Sequence, residues 1–170
     1  MNLREKIAEI PDFPKKGILF RDISPLLRDP AALSLVIDEF SKRIHPKDVD
    51  VFVGIESRGF PLACALALKY NKGMIMVRKQ GKLPGATHKL TYNIEYGTAT
   101  MEIQAGAVKK GEKVFICDDL LATGGTAKTA AKLVEKLGGE VMGFAFIIEL
   151  TDLKGSKAIK GYRYESLVKY

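Results

Sequence analysis

A chain of 170 residues with 46% hydrophobic content is long enough to bury a real core and suits one globular domain. Lys and Arg number 27 against 20 Asp and Glu, for a formal net charge of +7; a phosphorylated small molecule or a generally lysine-rich surface accounts for that excess, and without Trp, an RNA-recognition signature or a long basic run no nucleic-acid partner is expected. No apolar run reaches membrane-spanning length and Met1-Asn2-Leu3-Arg4-Glu5-Lys6 lacks the hydrophobic stretch of a signal peptide, so no membrane association and a cytoplasmic location are expected.

In chain order, Asp29-Pro30 has the form of an N-cap and first helical position, and Leu33, Val36, Ile37, Phe40 and Ile44 mark one face of a helix that His45-Pro46 ends. Val49 to Gly54 reads as a strand, Gly59 to Tyr70 as a helix so apolar that most of it must be buried, and Met74 to Val77 as the next strand, a βαβ unit. The stretch from about Lys79 to Asn93 reads as irregular and is too long for an ordinary connector, which makes it a lid candidate. Val114 to Cys117 is a third strand. Ala127, Ala130, Ala131, Val134 and Leu137 define a helix after Gly125 that Gly138-Gly139 stops, and Val141 to Ile148 closes a second βαβ unit. Cys64 and Cys117, too few and too far apart for a disulfide framework or zinc site, read as buried free thiols. The expected fold class is α/β with a largely parallel central sheet flanked by helices, whose ligand binds at the carboxyl ends of the strands.

Two turns carry the chemistry. Asp118 and Asp119 follow four apolar strand residues, and they can serve one ligand only where the backbone leaves the pleat, because neighbouring strand residues point to opposite faces. Ala122-Thr123-Gly124-Gly125-Thr126 then feeds a helix N-terminus, where backbone N–H groups and two hydroxyls can hold a dianionic phosphate. A diol beside a phosphate is a phosphorylated ribose. The earlier turn Gly54-Ile55-Glu56-Ser57-Arg58-Gly59 looks like a second anion site, with Arg58 either pairing with phosphate or tied to a neighbouring carboxylate. Arg78, Lys79, Lys82, His88 and Lys89 give the lid candidate a cationic character that suits covering an anionic leaving group.

The string Cys117 to Thr126 resembles the 5-phosphoribosyl-1-diphosphate (PRPP) motif of type I phosphoribosyltransferases. Phe20-Arg21-Asp22-Ile23-Ser24-Pro25, Glu56-Ser57-Arg58-Gly59-Phe60, Gly81-Lys82-Leu83-Pro84-Gly85, Ile94-Glu95-Tyr96-Gly97 and Leu153-Lys154-Gly155 extend the resemblance over nearly the whole chain and narrow it to the adenine-using members. The chain departs from the usual family pattern at Lys16, Gln80 and Cys117. The resemblance implies transfer of ribose 5-phosphate from PRPP to N9 of adenine in purine salvage, with magnesium carried on PRPP and no direct protein ligand for it. In that reading Asp118 and Asp119 face the developing oxocarbenium ribose, Ala122, Thr123, Gly124, Gly125 and Thr126 hold the 5-phosphate, and Arg58, Arg78, Lys79 and Lys82 face pyrophosphate. Phe20 and Leu150 sandwich the base, backbone atoms of Leu19 and Arg21 read its edge, Glu95 is the acid/base residue near N7 and Tyr96 its gating neighbour. The same resemblance implies a homodimer, a hood from about 1–28 and 149–170, and a lid over about 79–97 within a single domain, 1–170. A transferase for a 6-oxo purine would call for a lysine or acidic group to read the oxo edge, and a PRPP-sensing regulator for an added DNA-binding segment and no need of Glu95 or the basic lid.

Overall fold

The computed structural model describes residues 1–94 and 97–170. Ala8–Pro11 (β1) and Leu19–Asp22 (β2) pair antiparallel as a small separate sheet. Asp22 then accepts hydrogen bonds from the Ser24 N–H and hydroxyl at 2.9 and 2.6 Å, which starts the short helix Ser24–Arg28 (α1). The next helix, Pro30–Arg43 (α2), begins as its sequence predicts. Asp29 Oδ1 accepts from the Ala31 and Ala32 N–H groups at 3.0 and 3.2 Å, and Pro30 sits where a missing N–H costs nothing. Its face of Ala32, Val36, Ile37 and Phe40 is buried, and the helix closes at Ile44, just before His45-Pro46.

Val51–Ile55 (β3) leads through Gly59–Tyr70 (α3) to Gly73–Lys79 (β4), and β4 pairs in parallel with β3. Thr87–Ile94 (β5) and Gly97–Gln104 (β6) form an antiparallel hairpin, joined to β4 through β6. Lys113–Leu121 (β7), Gly125–Lys136 (α4) and Glu140–Glu149 (β8) form the second parallel unit, and Tyr164–Lys169 (β9) extends it. The seven strands run β5-β6-β4-β3-β7-β8-β9, parallel from β4 to β9. Alternate residues feed two cores. Phe52 and Phe115 pack with Phe40 of α2 and Leu66 of α3 on one face, while Val53 and Ile116 pack with Ala130 and Val134 of α4 on the other. Each fully buried side chain of this size contributes about 1.5–3 kcal/mol.

Four readings are corrected. The Lys79–Asn93 stretch is irregular only as far as Ala86; from Thr87 it is the strand β5, because Leu90 and Tyr92 alternate onto the core face while their neighbours face solvent. The third strand does not stop at Cys117: β7 runs to Leu121, and Asp118 and Asp119 are hydrogen-bonded strand residues rather than the start of the turn. Cys64 is exposed; only Cys117 is buried. Helix α3 is less enclosed than its composition implies, for Pro61, Cys64 and Leu68 form an exposed stripe at helical spacing, Leu68 at 78% exposure. The edge strand β9 escapes a reading by apolar periodicity because Lys and Glu interrupt it. It places part of the carboxyl-terminal segment in the central sheet.

Candidate active site

The site forms where β3 and β7, side by side in parallel, both deliver their chain to a turn and a helix. A Cβ on Gly59 would run into the backbone of Cys117 and Asp118, so only glycine lets α3 start so close to β7. That approach carries Arg58 to Asp119. Arg58 Nε lies 2.8 Å from Asp119 Oδ2, yet Oδ2, buried, accepts no hydrogen bond from the described residues. The contact is an ion pair that leaves the oxygen an unused acceptor.

A cavity of about 490 Å³ opens on this pair. It is lined by Glu56, Ser57 and Arg58 after β3, Lys79 at the end of β4 and Lys82 beyond it, Tyr92 of the hairpin, Asp118 and Asp119 of β7, and Ala122, Thr123, Gly124 and Thr126 at the start of α4. Gly125 faces the adjoining hollow and Arg78 does not line the cavity. Burial pushes Asp118 well above the ordinary carboxylate range, and the neighbouring Asp119 charge pushes it further. Burial also raises Asp119, which the Arg58 charge partly offsets. The pair therefore stores an electrostatic cost that a cationic ligand would relieve.

At the start of α4, Gly124 is left-handed (φ +82°) and precedes a first turn whose N–H groups lack intrahelical partners. The loop rests on the carboxyl-terminal segment, where a Cβ on Gly155 would collide with Ala122 O and one on Gly124 with Gly155 O. Thr126 Oγ1 lies 3.0 Å from Tyr92 Oη, so the hairpin docks on the loop.

The cationic loop is anchored by two acids, the half-buried Glu56 and the buried Glu102. Glu56 Oε1 lies 3.2 Å from Arg78 Nη2 and 2.9 Å from Lys82 Nζ, and Oε2 accepts the Lys79 N–H at 2.7 Å. Burial alone would raise Glu56, but Lys82, the Lys79 N–H and Arg78 overcome it and hold the carboxyl at about 2. Glu102 Oε1 accepts the N–H groups of Gly81, Lys82 and Leu83 at 3.0, 3.1 and 3.0 Å. Lys89, expected among the lid cations, turns to Glu102 at 3.8 Å.

Of the remaining expected residues, Phe20 meets the cavity's edge through Arg58, whose guanidinium lies 4.5 Å from the ring centroid. The Arg21 side chain is paired with Glu9 and stacks on Tyr170, leaving only its backbone for recognition. Leu19 is 45% exposed on β2, and Leu150 donates its N–H to Leu121 O at 3.0 Å. Glu95 and Tyr96 lie outside the described residues. Glu56, Glu102, Tyr92 and Gly155 had no assigned role in the sequence reading. A lone acid two residues before Arg58, in a turn that reads as an anion site, is a usable signal for Glu56, whereas nothing in sequence brings Glu102 back onto residues 81–83.

The chain is similar to known proteins over nearly its whole length. The family model for the phosphoribosyl transferase domain matches residues 24–168. An adenine phosphoribosyltransferase of Nitrosopumilus maritimus is 67% identical over 170 residues, covering all of both chains. The crystal structure of adenine phosphoribosyltransferase from Thermoanaerobacter pseudethanolicus is 46% identical with a TM-score of 0.95, over 99% of this chain and 100% of that one. The Saccharomyces cerevisiae enzyme, complexed with an imino-altritol bisphosphate and adenine, is 40% identical with a TM-score of 0.92 over 97% and 96%. The chain belongs to the phosphoribosyltransferase family, among its adenine phosphoribosyltransferases.

Proposed function

We propose that the cavity binds PRPP along its length and adenine at its Phe20 end, transferring ribose 5-phosphate to N9 to give AMP and pyrophosphate. The observation that carries this reading is the adjacent Asp118–Asp119 pair between a phosphate-type helix N-terminus and a cationic loop, all lining one cavity. The C1′–pyrophosphate bond breaks as the C1′–N9 bond forms, N9 loses its proton, and the electron pair leaves with pyrophosphate. Asp118 and Asp119 stabilise the oxocarbenium-like ribose. Ala122 to Thr126 hold the 5-phosphate, and Arg58, Lys79 and Lys82 meet the diphosphate with Arg78 behind them. Adenine lies between Phe20 and Leu150 with the Leu19 and Arg21 backbone at its edge; Glu95 serves as acid/base residue and Tyr96 as gate. No three acidic, His or Cys side chains converge on a cation site among the described residues. Magnesium would be carried on PRPP, with no direct ligand from this chain, and would supply positive charge to offset that of the departing diphosphate.

The chain works as one domain, with a hood from 1–28 and 149–170 and a lid over 79–97. No helix among the described residues is long and apolar enough to cross a membrane, and two free cysteines, one exposed, suit a reducing cytoplasm. The exposed Pro61, Cys64, Leu68 stripe on α3 supports a homodimer.

The test is formation of AMP from PRPP, magnesium and adenine by purified protein, against guanine, hypoxanthine and xanthine. Consumption of no base by protein that binds PRPP would sink the reading. Phe20→Ala is expected to raise KM for adenine about tenfold, from lost stacking area, and to leave KM for PRPP within twofold; equal damage to both would point to misfolding. Glu95→Gln is expected to lower turnover about a hundredfold and flatten one limb of the pH–rate profile. A normal profile would return Glu95 to a surface role.

A further inference from the structure

Glu56 sits where an incoming anion would be expected. Its two carboxylate oxygens take three donors from the end of β4 and the loop that follows it: Arg78 Nη2, Lys82 Nζ and the Lys79 N–H. The Glu56 side chain is 8% exposed, and its own N–H donates to Val77 O at 2.9 Å, which fixes its place at the end of β3. Lys79, Lys82 and Glu56 line the cavity together with Arg58. The loop backbone does not depend on Glu56 alone, because Glu102 holds the N–H groups of residues 81–83 from the other side. What Glu56 adds is a negative charge against cations that the bound diphosphate also needs.

We propose that Glu56 is a positioning residue that acts as the resident counter-anion of the pyrophosphate clamp. It keeps Lys82 ordered at the cavity, with Arg78 behind it, and, by competing for Lys82, limits how tightly pyrophosphate is held. The proposal rests on the PRPP reading of the cavity. Pyrophosphate must share Lys82 with a carboxylate already 2.9 Å away, so each arrival weakens an existing pair and each departure restores it. The clamp thereby offers its product a partner exchange rather than bare cations, which favours release.

The test compares the full-length protein with Glu56→Gln, which keeps size and an acceptor for the Lys79 N–H but removes the charge. Affinity for inorganic pyrophosphate and, separately, for ribose 5-phosphate is measured by titration calorimetry. Removing one charge next to a polyanion should tighten pyrophosphate about tenfold at low salt, with a steeper loss as salt rises, and leave ribose 5-phosphate within twofold. In turnover, pyrophosphate should become a stronger product inhibitor and kcat should fall more than KM for adenine. Glu56→Asp, which restores the charge, should return pyrophosphate affinity toward the parent value. Pyrophosphate affinity unchanged or weakened in Glu56→Gln, in protein that binds ribose 5-phosphate normally, overturns the proposal and leaves the PRPP reading standing. Failure of the parent protein to bind either ligand overturns both.

Discussion

Replacing Asp118 and Asp119 together with Asn is expected to lower turnover about a hundredfold or more while PRPP affinity falls far less, because the lost interaction is with charge that develops only in the transition state. The geometry sets the terms. Of two adjacent carboxyls on β7, Asp119 is buried and Asp118 half-buried, both are pushed above the ordinary range, and Asp119 Oδ2 accepts no hydrogen bond from the described residues. Such a pair is poorly solvated in the resting site and best satisfied by a ribose that becomes cationic while presenting hydroxyls. The same variant should gain thermal stability, since Asn keeps the shape and removes the repulsion. The sign with pH follows: a carboxyl raised in the folded state costs stability progressively as pH climbs above its unfolded value of 3.8, and in full once pH passes its folded titration, so the gain should be present at neutral pH and vanish in acid. Steady-state kinetics with AMP readout and melting curves at two pH values check both halves. Turnover within twofold of the parent would remove the ribose assignment.

The fold was legible where apolar periodicity is strong and caps are explicit. Asp29-Pro30 and Gly59 to Tyr70 stand where they were read, because N-cap chemistry and a run of twelve helix-compatible residues leave little room for alternatives. The strand limits at Cys117 and the irregular reading of residues 87–93 failed for a common reason: polar residues inside a paired strand look like loop unless the partner strand is known. The site shows the same division. A phosphate-type loop and an acid pair are contiguous in sequence and were readable as such, and the cavity places them together. The links across the chain were not. Arg58 against Asp119, Tyr92 on Thr126, and Gly155 under Ala122 join residues that no local pattern connects.

Glu102→Ala is expected to cost about 2–4 kcal/mol of stability, because it strips one buried acceptor from several donors at once. Oε1 takes three consecutive N–H groups, and Oε2 takes the Thr87 hydroxyl at 3.2 Å and faces Lys89 Nζ at 3.8 Å. Burial would raise this carboxyl, yet the Leu83 N–H and its companions hold it below its usual value. Glu56 is likewise held low, at about 2 against an ordinary 4.5, by Lys82, the Lys79 N–H and Arg78. Depressed carboxyls stabilise the fold above their unfolded pKa, so the parent should lose stability as pH falls from 4.5 toward 2. Urea unfolding at pH 7 and near pH 3 should show a smaller acid loss in Glu102→Ala than in the parent; equal losses would mean that Glu102 is not a contributor. The two acids also differ in consequence for the ligand. Freed from Glu102, residues 81–83 lose their fixed backbone, and pyrophosphate affinity should weaken, whereas loss of the Glu56 charge should strengthen it. Opposite signs from two carboxylates on one loop separate anchoring of its backbone from neutralisation of its cations.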